Sequence, residues 1–435
     1  MTITKRARVC FFGGMANNCY LIACRMHELG MDVVYIRDRL DNYAISQPVW
    51  EDRRLSLTYE ELTGTAAWSP ERWDDMATQC DWVAPEWVVD PLSCGAEDEP
   101  NRGLLVGNEG LRNYLPAPAD HYKKIIAIMR DCDLVFASNV HAVILAYLSG
   151  KPFIICPTGG EFLVAAGLID ANGDQNVANS LAVQKEIMKR AFRRAQAVMT
   201  YTRFFQHAGL AGGYWQLIRH HYRTRFERVS LPYLTKPRMT SAQRREKLNL
   251  LLVEFNLAPV VTKYSIFVPS RIDYQWKGQN RLLEALDQIE CRDEFTVICA
   301  GWGADFEDFR ARVGTSNRFR ILDRAMSKPI LNNFYASVDL VVDQFVLGHI
   351  GSAAREAAAV GAPVLASIQS GWSARLDGND FPALNATSAE DIGRVLTEIA
   401  RGDVDLCAAG LRHQAWVERY AAPSIMHNAI MRHVR

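Results

Sequence analysis

The sequence predicts an α/β protein made of two doubly wound, Rossmann-like domains. Three observations carry that expectation. Short apolar runs of strand length alternate with longer helical patterns in both halves, as repeated βα units on parallel sheets do. The alternation is interrupted around residues 235–260, where Pro232, Pro237 and Pro259 flank a charged helical run at 241–252. A chain of 435 residues also exceeds what one ordinary core accommodates.

The first unit opens with a strand at 8–12, a Gly13-Gly14-Met15 turn, a helix at 18–29, a turn at Gly30 and a strand at 32–36. Leu21, Ile22, Met26 and Leu29 share one face of that helix. Residues 40–120 follow without sustained periodicity, too long for an ordinary loop, and read as an insert with short elements of its own. Alternation resumes with a strand at 134–137, a helix at 140–148, a strand at 153–156, a helix at 182–194 and a strand at 197–201. The second half reads strand 264–268, helix 278–289, strand 295–299, helix 305–313, strand 319–322, helix 328–336, strand 339–342, helix 351–359 and strand 363–366. The expected division is an N-terminal domain at 1–240, a C-terminal domain at 241–412, and a terminal helical stretch at 413–435 that returns to the first domain.

Bulk composition narrows the function classes. With 49% hydrophobic and 23% charged residues and zero net charge, the chain reads as globular, and nothing global points to nucleic acid. No apolar run reaches the roughly 18 residues of a membrane-spanning helix. The ten cysteines show no paired metal spacing and suit free thiols in a reducing cytoplasm. The zero net charge conceals a polarity: residues 51–100 hold thirteen Asp/Glu against three Lys/Arg, and residues 185–228 hold ten Lys/Arg against two acids.

Two stretches concentrate the chemistry. Ser270-Arg271-Ile272-Asp273-Tyr274-Gln275-Trp276-Lys277-Gly278 and Gly348-His349-Ile350-Gly351-Ser352-Ala353-Ala354-Arg355-Glu356 each follow an apolar strand and open a helix. In an open α/β sheet that is the ligand-binding end. Arg271 and Lys277 bring two cations there, suited to phosphate oxygens, unless they are merely solvated surface charges. Gly351-Ser352 leave a helix N-terminus open to an anion, and Glu356 lies further into the same helix. The combination fits a ligand with a diphosphate at one end and hydroxyls nearby.

The ordered pattern S-R-I-D-Y-Q-W-K-G, A-G-W-G at 300–303, F-Y-A-S-V-D-L-V-V at 334–342 and G-x₄-E-A-A-A-V-G-A-P-V resembles the family-4 retaining glycosyltransferases. The resemblance spans roughly 264–367, with weaker likeness before it. It implies the GT-B fold, two Rossmann-like domains facing a central cleft, and transfer of a sugar from a nucleoside-diphosphate sugar with retention of configuration. It implies no metal and no cofactor beyond that co-substrate. By the resemblance, Arg271 and Lys277 contact the diphosphate, and Glu356 the ribose. Gly301, Gly303 and the stretch near Arg324 line the base pocket, while His349, Gly351 and Ser352 complete the donor site. Gly13 and Gly14 resemble the family's glycine loop facing the diphosphate. His141 resembles a histidine near the acceptor. The turn Thr158-Gly159-Gly160-Glu161 resembles an acceptor-side turn, with Glu161 either holding a sugar hydroxyl or capping the next helix.

One position departs from the family pattern. Two glutamates eight apart are common there, and the partner of Glu356 is Gly348. Asp343 and His349 are the candidates to cover the missing sugar-side acid. The departure keeps two other readings open: a nucleotide-sugar epimerase of the same fold, and a non-catalytic nucleotide-sugar-binding partner. The acceptor is expected to be a glycan, a lipid-linked sugar or a small molecule. Lys185, Lys189, Arg190, Arg193 and Arg194 form a basic helix that suits either a solvated face or peripheral contact with the inner face of a membrane. The tryptophans at 50, 68, 73, 82 and 87 suit either sugar stacking or the core of the insert.

Overall fold

The computed structural model describes residues 6–14, 17–38, 46–58, 60–61, 70–91, 119–158, 160–166, 175–200, 225–368 and 381–434. The chain divides into two compact units. Unit 1 comprises Met1–Glu51, Trp68–Pro232 and Pro423–Arg435, and unit 2 comprises Asp52–Ala67 and Tyr233–Ala422.

The strands, in chain order, are β1 (Arg8–Phe12), β2 (Asp32–Ile36), β3 (Ser56–Thr58), β4 (Val88–Val89), β5 (Leu134–Ala137), β6 (Phe153–Ile155), β7 (Ala197–Thr200) and β8 (Phe226–Arg228). They continue with β9 (Tyr264–Val268), β10 (Phe295–Ala300), β11 (Phe319–Leu322), β12 (Arg324–Met326), β13 (Leu340–Val342), β14 (Val364–Ala366) and β15 (Leu384–Asn385). Among the described residues, unit 1 contains a parallel sheet in the order β4-β2-β1-β5-β6-β7-β8. Unit 2 contains a parallel sheet in the order β11-β10-β9-β13-β14-β15. Such strands are buried on both faces, which is why they read as continuous apolar runs such as Val9–Phe12 and Ile266–Val268.

Strand order reverses between β1 and β5 in unit 1 and between β9 and β13 in unit 2. The loops leaving neighbouring strands diverge at such a switch point and leave a crevice, so each sheet supplies one. The helices covering the sheets start on sequence signals. Thr240 with Gln243, and Ser388 with Asp391, form capping boxes for helices Ser241–Glu254 and Ala389–Arg401.

The 40–120 segment is shared between the units. Residues around β4 join the edge of the unit 1 sheet beside β2. β3 instead pairs antiparallel with β12 in unit 2, with Thr58 opposite Arg324 and Ser56 opposite Met326. Trp50 and Trp82 are buried, Arg37 lies over the Trp82 ring at 5.2 Å, and Trp87 stacks on Tyr20 at 5.6 Å. These indoles pack; they are not laid out as a sugar platform. Trp68 lies outside the described residues, as does Gly159 of the acceptor-side turn.

The helix expected from 182 runs over Gln175–Arg194. Its first turns are polar and carry no apolar periodicity to read. Ile187, Met188, Ala191 and Phe192 enter the unit 1 core, while Arg190, Arg193 and Arg194 stay exposed. Among the described residues, no helix is long and apolar enough to cross a membrane. The chain end is pinned inside unit 1. Glu227 on β8 accepts from Arg432 at 2.7 Å and pairs with His433 at 2.8 Å.

Candidate functional site

Arg271 and Lys277 leave the C-terminal end of β9 in a loop built around one buried amide. Gln279 accepts from the Asp273 backbone N–H at 3.1 Å, and donates to Arg271 O at 2.8 Å and Ser270 Oγ at 3.2 Å. Asp273 takes the Trp276 N–H at 3.0 Å on one oxygen and Arg271 Nε at 3.1 Å on the other. The cations are thus presented from a tied frame, and the entropy of holding them is already spent before a ligand arrives. Gly303 locks the next loop to this one. A Cβ there would stand 2.3 Å from Ile272 O, and Ile272 N donates to Trp302 O at 2.7 Å. Gly301 packs in the same way on Leu322 and Asp323.

The loop after β13 meets the first one through Lys277. Its ammonium donates to Gln344 Oε1 at 3.0 Å and lies 4.0 Å from Asp343 Oδ1. Asp343 is 1% exposed, and its Oδ2 accepts the Gly351 N–H at 2.9 Å. A Cβ at 351 would fall 2.4 Å from that oxygen, so glycine admits the carboxylate to the start of helix Ser352–Ala359. Asp343 therefore sits behind the site as an anchor for Lys277 and for the helix start. Its Oδ1 makes no hydrogen bond among the described residues.

Glu356 is 7% exposed, and its Oε1 is paired with Lys328. The Tyr335 phenol lies beside this carboxylate as a donor, and Oε2 has no other hydrogen-bond partner among the described residues. Burial, with Glu356 and Asp343 nearby, pushes the phenol of Tyr335 well up and keeps it protonated. His349 is half-buried, and its Nδ1 lies 3.3 Å from Ile350 O. Burial pushes its imidazole down to about 4, with Arg355 and Lys277 acting in the same direction, so it is neutral at physiological pH.

Gly348 has φ +66°, in the left-handed region. A glutamate in that conformation would carry a backbone cost of about 1–2 kcal/mol. The departure from the two-glutamate pattern is therefore a change of backbone as well as of side chain.

Arg324 lies one residue beyond the Leu322–Asp323 pair on which Gly301 packs. It sits on β12, donates to Ser56 Oγ at 3.2 Å and lines a cavity of about 230 Å³ with Arg54, Glu254 and Phe255. The pairing of β3 with β12, which the sequence did not disclose, draws it there.

In unit 1 the corresponding loops leave β1 and β5. Gly13 has φ +136°, and a Cβ on it would lie 1.6 Å from Ser138 O. Gly14 O accepts from Asn17 N at 3.0 Å, which starts helix Asn18–Glu28. Asn139 is held at φ 91°, a strained position for a side-chain-bearing residue, and caps helix Val140–Ser149 through Ala142 N. His141 follows in the first turn. Burial holds its imidazole below the usual range, opposed by Asp38, and Asp38 itself pairs with His121 at 3.1 Å. Gln279, Gln344, Lys328, Asn139 and the Asp38–His121 pair were not singled out in the sequence. Their roles are set by partners 3 to 83 residues away.

Glu161 is 0% exposed, in helix Gly160–Ala166. Its oxygens accept from Asn139 N at 2.7 Å and Thr158 N at 2.9 Å. It ties the loop after β5 to the turn after β6, so its place is between loops and not toward a solvent-borne hydroxyl. Glu161→Ala leaves both N–H groups orphaned, at about 1–3 kcal/mol each. The expected outcome is a lower midpoint of thermal unfolding, with Glu161→Gln affected less.

The switch-point crevice of unit 2 thus carries two cations, a glycine-opened helix start and two buried carboxylates, Asp343 and Glu356, each with one oxygen that makes no hydrogen bond among the described residues. Residues 263–401 match the family model described as glycosyl transferases group 1. The whole chain superposes on sucrose-phosphate synthase from Thermosynechococcus elongatus with a TM-score of 0.59, 9% identity and 98% of each chain covered. HepE from Anabaena, in complex with UDP and glucose, gives a TM-score of 0.58 at 13% identity, again over 98% of each chain. The lipopolysaccharide outer core galactosyltransferase WaaB gives 0.50 at 13% identity, over 98% of this chain and 99% of that one. The fold is GT-B. Both Rossmann-like units of this GT-B chain bring their glycine-bearing loops to a strand-order reversal. Among curated proteins, none matches the chain. Among the described residues, no cluster of three His, Cys, Asp or Glu side chains is placed to hold a metal ion.

Proposed function

We propose that the chain is a glycosyltransferase that moves a sugar, in the hexosyl class, from a nucleoside-diphosphate sugar to an acceptor, with retention and without a metal. The observation that carries this reading is the joining of Lys277, on the same tied loop as Arg271, to the Asp343–Gly351 helix start through Gln344 and Asp343, within the region matching the group 1 family. HepE is a structural relative whose crystal structure holds UDP and glucose, which supports a nucleotide-sugar donor.

In this reading the Arg271 fork and the Lys277 ammonium neutralise the negative charge that develops on the departing diphosphate. That stabilisation is stronger in the transition state than in the bound donor, so it accelerates the step. The open Oε2 of Glu356 accepts a ribose hydroxyl while Lys328 holds the other oxygen. The loops holding Gly13, Gly14, Asn139 and His141 in unit 1 form the acceptor side. The peripheral membrane contact of the basic helix belongs to the same proposal, its support being the exposed Arg190, Arg193 and Arg194.

A thermal-shift screen of UDP-, GDP-, dTDP- and ADP-sugars, followed by assay of nucleoside diphosphate release, tests the reading. A donor present at a hundred times its Kd raises stability by about 2.7 kcal/mol. Expected are a shift with one base class and slow release without acceptor, unchanged by EDTA. Absence of both would sink the proposal. Gly348 favours a second reading, a nucleotide-sugar-binding partner without turnover, because it stands where the sugar-side glutamate of the family pattern would be. Binding with no release under any acceptor supports that one.

A further inference from the structure

Lys277 reaches the switch-point crevice of unit 2 with its charge unanswered at close range. An ammonium carries three N–H groups, and one of them donates to Gln344 Oε1 at 3.0 Å. The other two make no hydrogen bond among the described residues, and the side chain is 19% exposed. The carboxylate paired with it, Asp343, stands off at 4.0 Å and takes the Gly351 N–H at 2.9 Å instead. The near partner of the cation is a neutral amide, and the charged partner is the distant one.

Gln344 itself is 0% exposed, and the chain around it is held from several directions. Its carbonyl accepts the Ser367 N–H at 2.8 Å. The next residue, Phe345, donates its N–H to Lys277 O at 2.8 Å, and its own carbonyl accepts from Arg281 at 2.7 Å. The side-chain amide has one orientation open to it. Nε2 donates to His349 O, and because a carbonyl oxygen only accepts, the amide oxygen must face Lys277. Nε2 also lies 3.4 Å from Nδ1 of the neutral His349 imidazole. One amide thus spans from the cation to the backbone just past Gly348, whose φ of +66° turns the loop there.

The chemical type of this side chain matters. A carboxylate at 344 would pair with Lys277 at hydrogen-bond distance, cancel much of its charge, and set a second oxygen against His349 O. An apolar side chain would leave the flexible four-carbon stem of the lysine without a tether. A neutral group that accepts at one end and donates at the other fixes the ammonium and leaves its charge for phosphate oxygens.

We propose that Gln344 is a positioning residue for departure of the nucleoside diphosphate: its amide holds the Lys277 ammonium in the crevice without neutralising it, and couples it to the loop that carries Gly348. The inference rests on the glycosyltransferase reading of this site. Gln344 is buried and acts through Lys277, so its contribution to the rate disappears when Lys277 does.

The test is a double-mutant cycle on the full chain, with kcat and KM measured for transfer from the donor found by the thermal-shift screen. Gln344→Met, unbranched and close to glutamine in size, removes both side-chain hydrogen bonds. It is expected to lower kcat about tenfold or more, with a smaller change in KM. In a Lys277→Ala background the same change is expected to lower kcat less than about twofold. Gln344→Glu is expected to lose more than Gln344→Met, although it keeps an acceptor for Lys277. Unfolding midpoints are measured alongside, and rates are compared where every variant is folded. Equal losses with and without Lys277 overturn the proposal and leave Gln344 a packing residue. A Gln344→Glu enzyme faster than Gln344→Met overturns it too, since neutrality at 344 would then be dispensable. So does a Gln344→Met enzyme with unchanged kcat beside an active wild type, a result that leaves the glycosyltransferase reading standing. A wild type that turns over no donor removes that reading, and this inference with it.

Discussion

Replacing Lys277 with alanine is expected to lower kcat for sugar transfer by about 10²–10³-fold, the usual loss when one preorganised stabiliser of developing charge is removed. The side chain is 19% exposed and is held by Gln344 at 3.0 Å, so its ammonium is positioned before the donor binds. The effect comes from the charge. Lys277→Gln, which keeps a hydrogen-bonding group but no charge, is expected to lose nearly as much. Donor KM is expected to change less than kcat, because the diphosphate carries more charge as it departs than when bound. Removing Lys277 also leaves the Asp343 carboxylate without the cation at 4.0 Å, so the double variant with Asp343→Asn separates lost catalysis from a stranded buried charge. Steady-state kinetics with the donor found by the thermal-shift screen gives the answer. A Lys277→Ala enzyme with unchanged kcat would remove the leaving-group role from this residue.

Gly13→Ala is expected to have the largest effect on folding of any conservative change in unit 1. The added methyl would stand 1.6 Å from the carbonyl oxygen of Ser138, a backbone atom on the neighbouring loop, and φ +136° is closed to alanine. Overpacking and backbone strain together cost about 3 kcal/mol or more. Against a domain's margin of about 5–15 kcal/mol, that is a large fraction. Gly30→Ala is the matched control. It also has positive φ, +83°, but nothing stands within 4 Å, so only the backbone cost of about 1 kcal/mol remains. Urea unfolding of the two variants side by side is expected to show a drop for Gly13→Ala at least twice that for Gly30→Ala. Equal drops would mean that the approach to Ser138 does not constrain the loop.

The contrast between these glycines shows what the sequence discloses. The parallel strands were legible because burial on both faces leaves an uninterrupted apolar run, as in Val9–Phe12 and Val297–Ala300. Arg271, Lys277 and Glu356 were legible because their spacing is local to one strand-to-helix turn each. What stayed hidden depends on distant partners. Arg324 donates to Ser56, 268 residues away, on a three-residue strand too short to show a period. Glu161 reads as a polar turn residue until Asn139 N, 22 residues earlier, is seen on its oxygen. Asp343 looked like a spare acid, and only the Gly351 N–H beneath it shows an anchor. Gly348 carried a partial signal: a glycine where an acid was expected, with its left-handed φ invisible in the letters.

The threading of the chain has a consequence for its synthesis. β3 precedes its partner β12 by more than half of the sequence, and Arg432 and His433 join β8 through Glu227. Neither unit is a continuous stretch of polypeptide. A ribosome releases the unit 1 sheet, strand by strand, without the terminal residues that close it, and unit 2 then assembles as an insertion within an unfinished neighbour. No single cut in the gene yields either unit whole. Truncation just before Pro423 deprives Glu227 of Arg432 and His433, contacts that unit 1 gains only after the residues of unit 2 have been made.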